Sequence, residues 1–231
     1  MDHSLLSVKN LSVIIQGEKI LEDISFEIKK GENLMIIGPN GAGKSVLIKS
    51  VLGFIPKNGE VIWQTGVKIS YIPQGFLPGR EMPITALEFL NLKKSDEKTK
   101  EENLTKVGLS KKILTKKIAD LSGGEFQRLM IVWSLIGNPD ILIFDEPTSG
   151  IDVKGEEDVY SLISLLNKER RLASILVTHD LSVVQSFAHN VLCINKQSVC
   201  FGAPEIALTP KTIHDLYGEN IALYNHNHDR K

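Results

Sequence analysis

The sequence contains little cysteine and almost no net charge. Cys193 and Cys200 are its two cysteines, too few for a disulfide framework, and we expect both to be small buried hydrophobic side chains in a reducing compartment. The 27 Lys and Arg residues are balanced by 28 Asp and Glu, so the net charge is −1. Because non-specific nucleic-acid binding requires a basic surface, we expect no nucleic-acid partner.

Long apolar segments are also missing. The longest apolar run, residues 129–137, contains Ser134 and is much shorter than the roughly 18 residues needed to span a membrane. The first residues lack the basic and apolar stretches of a signal peptide. We therefore predict a cytoplasmic protein; if it works at a membrane, another molecule must hold it there. The apolar and charged shares, 42% and 24%, are those of an ordinary globular domain.

Hydrophobic periodicity predicts an α/β fold with a parallel sheet. Two N-terminal segments have apolar residues at every second position, as in antiparallel strands with one buried face. These residues are Leu11, Val13 and Ile15, and then Ile24, Phe26 and Ile28. Three continuous apolar runs that are typical of strands buried on both faces occupy residues 33–37, 141–144 and 174–177, with helical patterns at 45–52 and 153–171.

The region between the first two buried strands has a different character. After two short strands near residues 61–63 and 69–73, the pattern is helical at 85–94, 97–107 and 123–136. We predict one domain over residues 1–231, in which residues 75–134 form an inserted helical subdomain. Residues 1–74 and 135–231 form the core, and its end carries two strands around residue 196 and a helix at 209–217.

A glycine-rich segment after the first buried strand predicts a phosphate site. Its sequence is Gly38-Pro39-Asn40-Gly41-Ala42-Gly43-Lys44-Ser45, which fits the pattern G-x-x-x-x-G-K-[ST] of a P-loop NTPase. Glycines allow backbone N–H groups to surround an anion, and the following helix presents its positive end to the same charge. Lys44 would contact the β- and γ-phosphates of ATP, and the hydroxyl of Ser45 would bind Mg²⁺.

Two adjacent carboxylates follow the second buried strand. Asp145 and Glu146 stand at the carboxyl end of the strand, the edge where parallel sheets bind ligands. We expect Asp145 to hold Mg²⁺ through its water shell and Glu146 to accept a proton from the attacking water.

A further segment identifies a family. The sequence Leu121-Ser122-Gly123-Gly124-Glu125-Phe126-Gln127, here called the signature segment, resembles the signature of ATP-binding-cassette (ABC) ATPases. Ser122 and the glycine amides open a helix and could form a second anion site. The resemblance implies that this site faces the γ-phosphate on a second copy of the chain, so that a head-to-tail dimer encloses two ATP molecules.

The resemblance assigns three further residues. Gln74 is similar to the Q-loop glutamine, a ligand of Mg²⁺ and water at the hinge of the helical subdomain. Asp152 is similar to the D-loop aspartate that crosses the dimer interface. His179 is similar to the switch histidine that contacts the γ-phosphate. The family resemblance covers residues 5–217.

The adenine contact departs from the family pattern. Family members usually stack adenine on an aromatic residue, and the matching position here is Ile15. Losing a stacking contact worth about 1–3 kcal/mol predicts looser nucleotide binding and poorer adenine selectivity. Val46 replaces the usual small hydroxyl residue beside Ser45, which we expect to matter little.

The family resemblance implies a subunit that powers transport. Its partners would be integral membrane permease subunits and an extracytoplasmic metal-binding protein, and it would work at the cytoplasmic face of the membrane. Residues 190–218 are similar to zinc- and manganese-type importer ATPases, which implies a divalent metal as cargo. Another cargo, or a soluble ABC ATPase not coupled to transport, is the alternative.

Two segments have more than one interpretation. The apolar residues near Gln74, which include Phe76 and Leu77, either receive a helix of the permease or cover the helical subdomain's own core. The tail with His226 and His228 either is solvated or binds metal weakly.

Overall fold

The computed structural model describes residues 4–75, 83–146 and 153–218. Its strands are β1 (Ser4–Ile15), β2 (Glu18–Lys29), β3 (Asn33–Ile37), β4 (Asn58–Trp63), β5 (Ile69–Ile72), β6 (Ile141–Asp145), β7 (Ala173–Val177), β8 (Asn190–Asn195) and β9 (Gln197–Gly202). Its α-helices are α1 (Lys44–Val51), α2 (Ala86–Leu90), α3 (Glu97–Lys106), α4 (Gly123–Leu135), α5 (Val153–Arg170), α6 (Leu181–Phe187), α7 (Pro204–Ala207) and α8 (Pro210–Tyr217). Short 3₁₀ helices cover Lys111–Thr115 and Ile118–Asp120.

The strands pair in the order β4-β1-β2-β9-β8-β3-β7-β6-β5. Strands β8, β3, β7, β6 and β5 run parallel, whereas β4, β1 and β2 pair antiparallel. The predicted α/β fold, with a parallel sheet and an N-terminal antiparallel part, is therefore confirmed. The parallel order brings the carboxyl ends of β3, β6 and β7 to one edge of the sheet, and this positions the site.

The three central strands are buried along their whole length. Every residue of β3, β6 and β7 is buried, as the continuous apolar runs predicted. Parallel strands covered by helices on both faces require apolar side chains on both faces. The buried hydroxyl of Ser174 on β7 is satisfied, because Ser174 Oγ donates to Asn33 Oδ1 at 3.0 Å and accepts from Asn167 Nδ2 at 3.0 Å.

Alternation in the N-terminal strands is only partly regular. Leu11 and Val13 are fully buried, but Ile15 is 38% exposed at the end of β1. The pairing of β1 with β2 shifts register between Val13 and Ile14, and such a bulge changes which face the next side chains occupy. The simple alternation predicted for Leu11, Val13 and Ile15 therefore does not extend to Ile15.

Helices α2, α3 and α4 lie between β5 and β6. The predicted helix at 85–94 ends at Leu90. A capping box fixes its start: the backbone N–H of Glu88 donates to Thr85 Oγ1, and the backbone N–H of Thr85 donates to the Glu88 carboxylate. The prediction of helices over 97–107 and 123–136 agrees with α3 and α4. The short helices α6 and α7 and the two 3₁₀ helices were not anticipated.

The two cysteines are bonded to each other. Cys193 and Cys200 face each other in the antiparallel pair β8–β9 with Cα atoms 4.8 Å apart, and they form a disulfide. The expectation of two unlinked hydrophobic side chains was therefore wrong, because the hairpin brings residues seven positions apart into direct cross-strand register. Cys193 is fully buried, as predicted, whereas Cys200 is only half-buried.

No helix in the described ranges has the length and apolarity needed to cross a membrane.

Candidate nucleotide site

The phosphate loop, residues 38–45, joins the end of β3 to the start of α1. A Cβ on Gly38 would lie 2.0 Å from the carbonyl oxygen of Ile194, and one on Gly43 would lie 2.7 Å from Leu21 Cδ2. Both glycines also have positive φ angles, 155° and 95°. Glycine is therefore required at these two positions by close approach as well as by backbone conformation.

Lys44 folds back over the loop that it follows. Its Nζ donates to the carbonyl oxygens of Gly38 at 2.8 Å and Pro39 at 3.0 Å, and the residue is buried. Burial lowers the pKa of Lys44, while the charges of Glu146 and Asp145 act in the opposite direction. An anion bound in the loop would replace two neutral acceptors by charged oxygens, which form stronger hydrogen bonds with an ammonium group.

A cavity of about 800 Å³ opens above the loop. It is lined by the whole phosphate loop and Val46, and by side chains that the sequence placed far apart. These side chains are Ile20, Gln74, Glu146, His179 and Tyr217. The parallel sheet order brings Gln74, Glu146 and His179 together, because β5, β6 and β7 all end at this edge.

Asp145 ends β6 below the cavity with 2% of its surface exposed. Burial raises the pKa of Asp145 most strongly, and the nearby hydroxyl of Ser45 acts against that rise. Neither carboxylate oxygen completes a hydrogen bond with the described residues. A buried carboxylate with unused oxygens next to a serine hydroxyl is a fitting donor set for Mg²⁺, which prefers hard oxygen ligands.

Glu146 is held by Gln74. Gln74 Nε2 donates to Glu146 Oε2 at 2.6 Å, and the backbone N–H of Glu146 donates to the carbonyl oxygen of Val177 at 3.2 Å. Glu146 has a φ of 54°, a left-handed conformation that is uncommon outside glycine and recurs at functional sites. The candidate general base thus lies on a turn that points its carboxylate into the cavity.

His179 lies two residues after the end of β7, the strand between β3 and β6 in the sheet. It is exposed and lines the cavity. The next residue, Asp180, caps α6 by accepting a hydrogen bond from the backbone N–H of Ser182 at 2.8 Å. The cap fixes where the helix begins and therefore where the strand-end histidine stands.

The signature segment opens α4 at a second cavity. Ser122 caps the helix in a capping box with Glu125, and Lys116 pairs with the Glu125 carboxylate at 2.8 Å. The hydrogen bond from Lys116 is the main reason why the pKa of Glu125 is lowered. This cavity, of about 520 Å³, is lined by Ser122, Gly124 and Glu125 with basic neighbours, and it shares no lining residue with the phosphate-loop cavity. Gly123 is the first residue of the helix.

The comparison with protein families identifies the chain. A model described as ABC transporter matches residues 21–149, which include the phosphate loop, the two carboxylates and the signature segment. The chain belongs to the ABC transporter family. ATP-binding subunits of this family hydrolyse ATP.

Relatives extend the match to both ends of the chain. A protein of Pseudomonas syringae pv. syringae named Zinc import ATP-binding protein ZnuC is 34% identical over 99% of this chain and 89% of its own length. A protein of Yersinia pestis bv. Antiqua with the same name is 37% identical over 98% of this chain and 92% of its own length.

Solved structures share the fold. An inward-facing metal-chelate-type ABC transporter has a chain that superposes with a TM-score of 0.83 at 24% identity, covering 93% of this chain and 89% of that one. An ATP-binding cassette in a dimeric post-hydrolysis state with ADP and Pi superposes with a TM-score of 0.71 at 26% identity, covering 86% of this chain and 98% of that one.

The ABC motifs account for most but not all of the cavity wall. Ile15, the predicted adenine contact, does not line this cavity, whereas Ile20 on β2 does. Tyr217 was also missed, because a tyrosine at the end of a C-terminal helix belongs to no nucleotide motif. Asp152, Phe76, Leu77, His226 and His228 lie outside the described residues. Within the described residues, no group of three or more His, Cys, Asp or Glu side chains could hold a metal ion.

Proposed function

We propose that this ABC ATPase powers the import of a divalent metal, zinc in the first place, through a separate membrane permease. The observation that carries the proposal is the likeness to proteins named Zinc import ATP-binding protein over almost the whole chain. The match extends beyond the nucleotide motifs into the C-terminal strands and helices. Manganese is the second cargo that the sequence favours, and the reconstitution experiment below distinguishes it from zinc.

The side chains of the cavity have different roles toward ATP: phosphate binding, Mg²⁺ binding and proton transfer. The loop amides and Lys44 bind the β- and γ-phosphates, and Ser45, Asp145 and Gln74 would hold Mg²⁺. When bound, Mg²⁺ neutralises charge on the phosphates. Glu146 accepts the proton of the attacking water, and His179 contacts the γ-phosphate from the neighbouring strand end.

The proposed adenine contact is aliphatic. Ile15 and Ile20 are both aliphatic, so neither supplies an aromatic face for adenine. We keep Ile15 as the proposed outer contact, since it is partly exposed at the end of β1, and add Ile20, which lines the cavity.

A second copy of the chain is part of the proposal. Ser122 and Gly124 line a cavity of their own, so the signature segment does not contribute to the phosphate-loop cavity of its own chain. A head-to-tail pair would place each signature segment, with its helix N-terminus, over the γ-phosphate held by the other chain. A dimeric cassette with ADP and Pi among the structural neighbours supports this arrangement. Asp152 would cross the same interface.

The membrane partners follow from the family. We propose that integral permease subunits bind this chain at the cytoplasmic face, and that an extracytoplasmic metal-binding protein delivers the cargo. The closing and opening of the ATPase dimer would then be transmitted to the permease.

Reconstitution tests the cargo. The chain is co-purified with its permease, placed in lipid vesicles, and assayed for ATP turnover with the delivery protein loaded with Zn²⁺, Mn²⁺ or no metal. We expect Zn²⁺ to stimulate turnover most strongly, and vesicles with Glu146→Gln chain to show no stimulation. Stimulation by Mn²⁺ alone would replace zinc by manganese as cargo. Equal turnover under all three conditions would contradict metal import.

A further inference from the structure

Glu125 holds the start of the signature segment. Its Oε2 accepts a hydrogen bond from the backbone N–H of Ser122 at 2.9 Å, and its own backbone N–H donates to Ser122 Oγ at 3.2 Å. These two hydrogen bonds are the capping box at the start of α4. The conformation of the Glu125 side chain therefore determines where Ser122 stands.

The other oxygen of Glu125 is bonded to a lysine outside the signature segment. Lys116 Nζ lies 2.8 Å from Glu125 Oε1, so both carboxylate oxygens have a partner. Both side chains are partly exposed, and an ion pair of this kind adds little to the stability of a fold. Its main effect is to restrict Glu125 to the conformation that closes the capping box.

Backbone hydrogen bonds fix the place of Lys116 in turn. The backbone N–H of Ala86, the first residue of α2, donates to the carbonyl oxygen of Lys116 at 2.9 Å. The backbone N–H of Ile118 donates to the carbonyl oxygen of Ile84 at 3.0 Å. Neither hydrogen bond uses the Lys116 side chain, so a substitution there removes the ion pair and leaves this backbone pairing in place.

Two other basic side chains line the same cavity, those of Lys112 and Arg128. Arg128 Nη2 lies 3.4 Å from Asp158 Oδ2 on α5. Among the described residues, the ion pair of Glu125 is with Lys116. The cavity therefore allows a comparison between a lysine that is bonded to the capping carboxylate and one that carries the same charge nearby.

We propose that Lys116 is a positioning residue of the shared ATP site: its pairing with Glu125 keeps Ser122 in place for the γ-phosphate held by the second chain. This inference rests on the head-to-tail dimer proposed above. A group that is already in place loses less conformational entropy when the two chains close on ATP. Lys116 thus strengthens the ATP-dependent dimer through Glu125, without contacting the nucleotide itself.

The test is the dissociation constant of the dimer at saturating ATP and Mg²⁺, measured by sedimentation equilibrium on full-length chain that carries Glu146→Gln. Saturating ATP removes any dependence on how tightly a single chain binds the nucleotide. We expect Lys116→Met to raise this constant about tenfold, which is about threefold for each of the two equivalent sites. Lys116→Arg, which can keep the ion pair, should restore most of the loss.

Lys112→Met is the matched control, because it removes one positive charge from the same cavity. We expect it to raise the dissociation constant less than Lys116→Met does. An equal effect of the two variants would show that the charge of the cavity, and not the position of Ser122, strengthens the dimer, and this result would overturn the proposal.

A double-mutant cycle with Glu125→Gln tests whether Lys116 acts through Glu125. Glutamine is also found in capping boxes, so this variant keeps the box and removes the charge. We expect Lys116→Met to add nothing in the Glu125→Gln chain. If it still raises the dissociation constant about tenfold, Lys116 contacts the second chain or its nucleotide directly, and the positioning role is wrong.

The parent chain with Glu146→Gln alone separates this proposal from the dimer on which it rests. If the parent stays monomeric with ATP and Mg²⁺, the shared site is wrong and the role of Lys116 is lost with it. If the parent dimerises and Lys116→Met leaves the dissociation constant unchanged, the dimer stands and Lys116 has no positioning role.

Discussion

At the scale of single residues, Gln74 holds Glu146, the proposed general base. The hydrogen bond of 2.6 Å from Gln74 to Glu146 joins the residue proposed to activate water with the residue that begins the helical region. A nucleotide that draws Gln74 toward Mg²⁺ would release the Glu146 carboxylate for its water. Movement of Gln74 would thus couple ATP binding to the release of the Glu146 carboxylate.

Replacing that base separates binding from hydrolysis. We expect Glu146→Gln to bind ATP as the unchanged chain does, because the amide is isosteric, but to hydrolyse it about 10²–10⁴-fold more slowly, the usual contribution of a positioned general base. Single-turnover ATP hydrolysis measures the rate, and equilibrium binding of ATP measures the affinity. Unchanged turnover in Glu146→Gln would remove this residue from the role.

At the scale of elements, Lys93 links the helical region to the sheet. Lys93 follows α2, and its Nζ donates to the carbonyl oxygen of Trp133 on α4 at 3.1 Å and to Ser70 Oγ on β5 at 3.3 Å. The same ammonium group lies 3.6 Å from the centre of the Trp133 ring. Three elements that are separate in the sequence meet at this side chain, at the strand that leads to Gln74.

Lys93 makes stability depend on pH. Burial lowers the pKa of Lys93 to about 8 from its ordinary value of 10.5. Between these values the unfolded chain binds the proton more readily than the folded one, so this residue's contribution to the free energy of unfolding increases as pH rises through the interval. Below about pH 8 both states are protonated and this contribution is constant.

Urea unfolding over this pH interval measures the effect. We expect the difference in unfolding free energy between the unchanged chain and Lys93→Met to vary with pH, whereas the difference for Lys94→Met, an exposed neighbour, stays flat. A pH-independent difference for both variants would show that the Lys93 proton is not coupled to folding.

The hairpin β8–β9 is closed by the disulfide between Cys193 and Cys200. Because the linked residues are only seven positions apart, we expect a stabilisation at the low end of the usual range, about 2 kcal/mol. Chain purified and denatured without reductant should contain no free thiol. Cys200→Ser should unfold about 2 kcal/mol more easily, and its stability should not respond to reductant. Two free thiols in the unchanged chain would contradict the disulfide.

At the scale of the whole molecule, the two proposed anion sites of one chain are separate cavities. The cavity at Ser122 and the cavity at Lys44 share no lining residue, so a single chain can surround ATP only from the phosphate-loop side. In the proposed dimer, a second chain related by a two-fold axis would supply the missing side twice, and the interface would be self-complementary.

This arrangement predicts an ATP-dependent dimer. Glu146→Gln chain, which retains its ATP, should change from monomer to dimer by light scattering when ATP and Mg²⁺ are added, since each nucleotide is contacted by both chains. The double variant Lys44→Ala, Glu146→Gln should remain monomeric because it cannot bind the nucleotide. A monomer at saturating ATP in Glu146→Gln would contradict the shared site.

Local patterns were sufficient for much of this molecule. Short segments of sequence are enough to predict the glycine-rich loop, because its backbone geometry requires glycine. They are also enough to predict β3, β6 and β7 and the acidic end of β6, because strands buried on both faces are continuous apolar runs. The family and its nucleotide motifs could therefore be predicted from the sequence by itself. Bulges in β1 and the pairing of Cys193 with Cys200 could not, since both depend on the register between strands.

Tertiary structure decided which residues from distant parts of the chain share the cavity. Ile20, on β2, and Tyr217, at the end of α8, join the phosphate loop because β2, β9, β8 and β3 are neighbours in the sheet, an order that no local pattern encodes. The same holds for the bond between Gln74 and Glu146, 72 positions apart. The sequence by itself determined which motifs form the candidate nucleotide site. The packing of strands determined which side chains surround it, because contacts between distant segments depend on how whole elements are ordered in the sheet.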